Sequence, residues 1–324
     1  MMKKIFALIS VVLAALVLTA CSVTVKTDPA ENAKGSKKTA TAAGPAAGTL
    51  EVKMLDVGQG DAILIRHGKK TILIDTSDID EKDKLKKRLA EEKVSSFDAV
   101  ILTHPHADHM GGIDYVLNNF PVAMVYDNGQ TAKPKFYTNY LKLLKEKKIK
   151  SKTLTAGDVL DFGDGLRFVV YSPTKEMRKD GGMENGKINL NINSVEGRLE
   201  FGEFRMMFTG DGEKVTEDGI LSRYGSDALK ANILKAPHHG SKTSSSDAFL
   251  KAVKPEWAVI SCGVNNDYHH PHPSIRTKYG KMKIDYYRTD INGNITITTT
   301  GKKVDGKLYQ IKAQKGKKND QTAY

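Results

Sequence analysis

The chain has 324 residues, 40% of them hydrophobic, enough apolar material for one large domain or two small ones, which excludes a disordered or purely structural chain. Fifty Lys and Arg stand against 38 Asp and Glu, and the net charge of +12 favours anionic partners such as phosphate, nucleic acid, teichoic polymers or lipid headgroups. Two cysteines exclude a disulfide-stapled scaffold and a zinc ribbon, so any metal must be held by His and Asp.

In chain order, residues 1–20 read as a secretory signal: Lys3 and Lys4 precede an apolar run from Ile5 to Leu18 that is short for a bilayer span. Leu18-Thr19-Ala20-Cys21 resembles the bacterial lipobox, which implies lipidation of Cys21 and a chain anchored at the cell membrane outside the cytoplasm. The plain alternative is an ordinary signal with an unmodified cysteine. Residues 21–49 are rich in Ala, Lys, Thr, Gly and Pro without a hydrophobic period, as in a flexible tether. Residues 50–313 are expected to form a single domain, and the Lys-rich residues 314–324 a frayed, disordered tail.

Within the domain, strands are predicted over 51–55, 62–66 and 71–74, punctuated by Gly58-Gln59-Gly60 and His67-Gly68. A helix over 81–93 leads to a strand over 99–102. Further strands are predicted over 122–126, 166–171, 188–195, 204–208, 233–235 and 257–261, and helices over 136–147, 213–223 and 247–253. Hairpins mixed with βα units suggest two sheets packed face to face with helices outside, an α/β/β/α sandwich. Cys262, at the end of the run Trp257 to Ser261, is expected to be a buried structural thiol.

The chemistry gathers at strand ends. His104-Pro105-His106-Ala107-Asp108-His109 follows the strand over 99–102 and places three of the nine histidines and one carboxylate within six positions. A loop leaving a buried strand can turn all four toward one point, and imidazole with carboxylate is a ligand mix for zinc or manganese. Four such groups exceed what one open catalytic metal needs from one segment, so two metals are inferred. Asp211 ends the strand over 204–208, and His238 and His239 follow the strand over 233–235. Taken alone, a strand-end Asp is as often a turn former as a ligand.

In this order the motifs resemble the metallo-β-lactamase superfamily, whose metal loop is His-x-His-x-Asp-His, and within it the C-terminal hydrolase domain of ComEC-type competence proteins. The resemblance runs from Leu55-Asp56-Val57-Gly58-Gln59-Gly60-Asp61-Ala62 through Ile74-Asp75-Thr76, the His104 loop, Asn193-Ser194-Val195 and Thr209-Gly210-Asp211. It continues in His238-His239-Gly240-Ser241-Lys242-Thr243-Ser244 and Asn266 to Pro273, and ends at Thr289, Gly293 and Ile295. It implies a four-layer sandwich and two divalent ions, zinc or manganese. His104 and His106 would bind the first, Asp108, His109 and one of His238 or His239 the second, and Asp211 would bridge them. No His stands between His109 and His238, where the superfamily usually supplies another ligand to the first metal, and Asn193-Ser194 occupies that stretch. One metal rather than two is therefore the alternative. Asp56 and Asp75 would stand behind the ligands and orient them.

The activity implied is hydrolysis by metal-activated water, with Asp108 and Asp211 positioning it. A phosphodiester substrate suits a cationic site in a basic chain, and DNA is the leading candidate, which makes a nuclease the first reading. Asn193, Ser194, Ser241, Thr243 and Ser244 would bind the substrate, and whichever of His238 and His239 is free, or His270 or His272, would protonate the leaving group. For His269, His270 and His272 a loop-capping role weighs equally, because Pro271 and Pro273 already imply a rigid turn. The competing readings are an esterase of phosphocholine-type or other small esters and a non-catalytic surface protein that holds an anionic ligand. The sequence points to no protein partner.

Overall fold

The computed structural model of the chain describes residues 25–27 and 48–322. The predicted signal, Cys21 and most of the predicted tether lie outside the described residues. Among the described residues, no helix is long and apolar enough to cross a membrane.

Alternation along the strands dictates the layers. Ile63 and Ile65 point to one cluster and Leu64 to another; Ile72 and Ile74 part from Leu73 in the same way, and Met206 and Phe208 from Met207. A strand buried on both faces must be covered on both, so each sheet needs a second sheet on one side and helices on the other. Two eight-stranded sheets meet this demand. The first runs Gln310–Ala313, Ile295–Thr299, Leu50–Met54, Ile63–His67, Lys70–Ile74, Ala99–Ile101, Val125–Asp127 and Ser151–Thr153. The second runs Val25–Thr27, Asp158–Gly163, Leu166–Ser172, Glu196–Phe201, Phe204–Phe208, Ile233–Lys235, Trp257–Ile260 and Asp285–Arg288. Both are antiparallel at their hairpins and become parallel where βα units begin, at Lys70–Ile74 beside Ala99–Ile101 and at Phe204–Phe208 beside Ile233–Lys235.

Helices cover the outer faces. Lys82–Glu91 buries Leu85 and Leu89 on the first sheet, and Lys135–Glu146 buries Tyr137, Tyr140 and Leu144 at helical spacing. On the second sheet, Asp247–Val253 starts where the Ser246 side chain accepts from Phe249 N–H. The result is an α/β/β/α sandwich. Its parallel strands all end at one rim, and the loops beyond those ends carry the candidate ligands.

Three sequence expectations change. The predicted strand over 188–195 is a 3-10 turn at Leu190–Asn193, because the Asn189 side chain accepts from Asn191 N–H and tightens the backbone; the strand begins only at Glu196. Residues 314–322, expected to fray, are held by hydrogen bonds. Gln314 N–H donates to Asn294 O, Asn319 N–H to Tyr286 O, and the Arg276 and Arg288 guanidiniums to Thr322 O. Finally, beyond Pro273, where periodicity predicts no element, the chain forms the helices Pro273–Lys281 and Thr289–Asn292 and the strands Asp285–Arg288, Ile295–Thr299 and Gln310–Ala313.

Candidate metal centre

The loop after Ala99–Ile101 is fixed before any ligand is placed. Asp75, at the end of Lys70–Ile74, accepts from Thr103 N–H (2.8 Å), Thr103 Oγ1–H (2.7 Å) and His109 Nδ1 (2.7 Å), all buried. Gly60 lies so close that a Cβ there would come within 2.2 Å of Asp108 O, and the next residue's N–H donates to that same oxygen. These contacts orient the short helix Ala107–Met110, which carries Asp108 and His109.

From the second sheet, Asp211 follows Phe204–Phe208, and its N–H donates to Ser194 Oγ. His238 and His239 sit in a turn after Ile233–Lys235 with φ of 48° and 53°. The side chains of Asp108, His109, Asp211 and His239 come together with ligand atoms all within 4.8 Å of one another. Asp211 stands at the centre: His109 Nε2 lies 3.2 Å from its Oδ1, and His239 Nε2 3.3 Å, His238 Nε2 3.8 Å and His104 Nε2 4.0 Å from its Oδ2. His104 Nε2 also faces His106 Nδ1 at 3.0 Å. Two ligands of one tetrahedral zinc stand about 3.3 Å apart, so these separations suit shared cations.

The donor atoms are prepared for a cation. His109 Nε2 and Asp211 Oδ1 are buried without any hydrogen-bond partner, a cost that a cation would remove. Burial, and then His109, push the His104 imidazole well below its ordinary pKa, and burial lowers His106, so both stay neutral and able to bind metal. Burial opposes the charge on His109, yet Asp211, Asp108 and Asp75 hold it well above its ordinary value; Asp211, Asp108 and Asp61 likewise hold His239 at about 10 against burial. In return, His109 and His239 keep Asp108 and Asp211 below the usual carboxylate range although burial opposes this. Without a cation the cluster is balanced by protons on two of its imidazoles.

Other predicted residues lie elsewhere. Asp56 does not stand behind the ligands: it pairs with Arg88 at 3.1 Å on the helix Lys82–Glu91. Its place is taken by Asp61, buried, 3.6 Å from His239 Nδ1 and 2.6 Å from the buried Lys235 Nζ. Asn193 and Ser194 are wholly buried behind Asp211 and cannot touch a substrate. Ser244 Oγ donates to backbone carbonyls of Pro237 and Ser241, and Ser241 Oγ meets Thr243 Oγ1 at 3.1 Å, so this loop braces the His238 turn. His272 caps Pro273–Lys281 by accepting from Ser274 N–H. His270 does reach the cleft, stacked on His239 at 6.2 Å; burial, His239 and His238 lower it to about 3, which makes it a neutral acceptor rather than the predicted acid. Sequence reasoning missed Lys235, Asn191 and Tyr268. Only Lys235 left a signal, a charge inside an apolar strand.

The cleft is about 350 Å³ and is lined by Asp108, Asp211, both histidines of the 238–239 pair, Asn191 and Tyr268, among others. Two helix-covered sheets with a His and Asp cluster on one rim make the metallo-β-lactamase fold, and residues 55–174 match the model of the metallo-β-lactamase superfamily. The chain is homologous to competence proteins. It is 32% identical over 264 residues to ComE operon protein 3 of Bacillus subtilis (strain 168), covering 76% of this chain and 32% of that protein. It is 29% identical over 243 residues to competence protein ComA of Neisseria gonorrhoeae, covering 75% of this chain and 31% of that one. The chain thus spans about a third of the length of these curated relatives. Among solved structures, the metallo-β-lactamase fold protein YhfI of Bacillus subtilis superposes with a TM-score of 0.50 at 14% identity, over 75% of this chain and 97% of that one.

Proposed function

We propose that the chain is an exported, membrane-tethered phosphodiesterase, with DNA as its leading substrate. The observation that carries this reading is the ring of imidazoles around Asp211, with unpartnered donor atoms, at the floor of a solvent-open cleft. Asp108, His109 and His239 with Asp211 would hold one cation, and His104 and His106 with Asp211 a second. Bound there, zinc or manganese supplies a water of lowered pKa and polarises a phosphoryl oxygen.

The chain's own residues do the rest. Asp75 and Ser261 O fix which nitrogen of His109 and His239 carries a proton, leaving the other nitrogen facing Asp211. Asn191 Nδ2, on the cleft wall, can donate to a phosphate oxygen. The neutral His270 can accept a hydrogen bond from a substrate group in the cleft. The surplus of lysine suits an anionic polymer as partner, and the lipobox-like Cys21 supports tethering to the membrane.

A second reading has one observation in its favour. Tyr268, 64% exposed, lies at the cleft, and an aromatic face there suits a quaternary ammonium, as in a phosphocholine ester. The deciding experiment offers the purified full-length protein, loaded with Mn²⁺ or Zn²⁺, single- and double-stranded DNA, bis-(p-nitrophenyl) phosphate and p-nitrophenyl-phosphocholine. Cleavage of DNA supports the first reading, and turnover of the choline ester alone supports the second. No turnover on any of them, with metal demonstrably bound, sinks both in favour of a binding protein.

A further inference from the structure

Four imidazoles in the centre share one arrangement. Each has its Nδ1 facing an oxygen: His109 faces Asp75 at 2.7 Å, His239 Ser261 O at 2.9 Å, His104 Thr103 Oγ1 at 3.1 Å, and His238 both Glu213 Oε1 at 3.2 Å and Thr243 Oγ1 at 3.3 Å. Each then directs its Nε2 at Asp211, between 3.2 and 4.0 Å away. A histidine that ligates a metal is ordinarily oriented in this way, its second nitrogen donating to a carboxylate, carbonyl or hydroxyl. His238 fits the pattern as well as the three histidines already assigned.

The backbone explains how two adjacent residues can both do so. In a strand, His238 and His239 would point to opposite faces. Here both adopt left-handed φ and ψ (48° and 49°, 53° and 20°), which costs about 1–2 kcal/mol per non-glycine residue, and the tight turn brings both rings to Asp211 from different sides. His239 is buried beside Asp108. His238 lies on the cleft side, where Asn191 Nδ2 is 3.4 Å from its Nε2 and Asn191 Oδ1 is buried without a partner.

We propose that His238, oriented by Glu213, completes the first cation position with His104, His106 and Asp211, in place of the imidazole that the sequence lacks between His109 and Asp211. The inference rests on the metal-hydrolase reading above but not on its substrate. It also separates the two positions chemically. Three imidazoles and one carboxylate favour zinc at the first, whereas two imidazoles and two carboxylates at the second also suit manganese.

The test is metal binding, read without turnover. Full-length protein, stripped of metal, is titrated with Zn²⁺ by calorimetry, and its content is checked by elemental analysis. His238→Asn is the main variant because asparagine tolerates a left-handed backbone; His238→Gly is the second should the first misfold by circular dichroism. The wild type should take two ions. His238→Asn should keep one and bind the other at least about 100-fold more weakly, His239→Asn should lose the opposite one, and Glu213→Gln should weaken the His238 position about 10-fold. Wild-type stoichiometry and affinities in both His238 variants would overturn the proposal, as would a wild-type chain that holds a single ion indifferent to His238. If two ions bind as described and no phosphodiester is cleaved, the proposal stands and only the phosphodiesterase reading falls.

Discussion

The centre has a deep wall and a cleft wall, and the two are built on different principles. On the deep wall, Asp61, Asp75, Lys235, His109 and His239 are buried, and every ionised group faces an opposite charge within 4 Å. On the cleft wall, His106 and His238 are half-buried, Tyr268 is open to solvent, and the partners are Asn191, the uncharged His270 and the part-exposed Glu213. Buried charge is costly unless it is paired, so the deep wall ties metal binding to folding, whereas the cleft wall can change ligands without unfolding anything. Variants on the deep wall should therefore move stability and metal affinity together, and variants on the cleft wall metal affinity alone.

The largest effect is expected where the walls meet. Asp211→Asn removes the one carboxylate shared by His104, His109, His238 and His239, and any phosphodiester turnover should fall at least about 10³-fold, since several kcal/mol of charge stabilisation depend on the cations it would hold. Steady-state kinetics at saturating metal measures this, and a loss below tenfold would break the picture of a single shared centre. Next comes Lys235→Met. It leaves Asp61 buried without its ammonium and should destabilise the metal-free protein by about 3–5 kcal/mol, while the double variant with Asp61→Asn should recover most of that. Denaturant melts of the four proteins decide it: additive losses in the double variant would mean that the pair is not what holds this wall.

A smaller effect tests the coupling itself. Asp75→Asn keeps an acceptor for Thr103 N–H but can no longer accept from both His109 Nδ1 and Thr103 Oγ1. Zinc affinity at the deep position should fall about 10–100-fold, with a loss of stability alongside. If Asp75→Asn weakened metal as His238→Asn does, with unchanged unfolding, the contrast between the walls would disappear.

How much of this could be read from the sequence follows the same division. The His104 loop concentrates four ligands in six positions, and Asp211 and the 238–239 pair directly follow apolar strands, so chain order alone brings them to one rim. Second partners were harder. Asp56 and Asp61 lie in one Gly-containing loop, and only the approach of Gly60 to Asp108 decides which of the two turns inward. Asn191 was hidden because its segment reads as a strand; the side-chain bond from Asn189 that makes it a turn is a local competition that apolar periodicity does not register. The order of residues 314–322 depends on Arg276 and Arg288, two buried guanidiniums that no pattern in the tail itself would suggest.

The finest test concerns Glu196, behind Gly212 and one layer outside the charged pairs of the deep wall. Its carboxyl is wholly buried, both oxygens lack hydrogen-bond partners, and a Cβ on Gly212 would meet Oε1 at 1.8 Å, so nothing larger than hydrogen fits between it and the Asp211 turn. Burial and then Glu217 raise its pKa well above the ordinary value, with Lys235 only partly opposing. A carboxyl whose folded pKa is raised contributes fully below its unfolded pKa, near 4.5, and loses that contribution as pH climbs toward the folded value. At neutral pH the unfolded chain can ionise Glu196 and the folded one resists doing so, which penalises folding. Glu196→Gln removes the titration while keeping the shape, and should stabilise the protein by about 1 kcal/mol at pH 8, raising Tm by about 2–4 °C, with the gain shrinking to nothing below pH 4.5. Because Glu196 touches no ligand, metal affinity should not change. A gain independent of pH would show that the carboxyl is not held neutral, and a fall in metal affinity would show that the deep wall extends one layer further than its charged pairs.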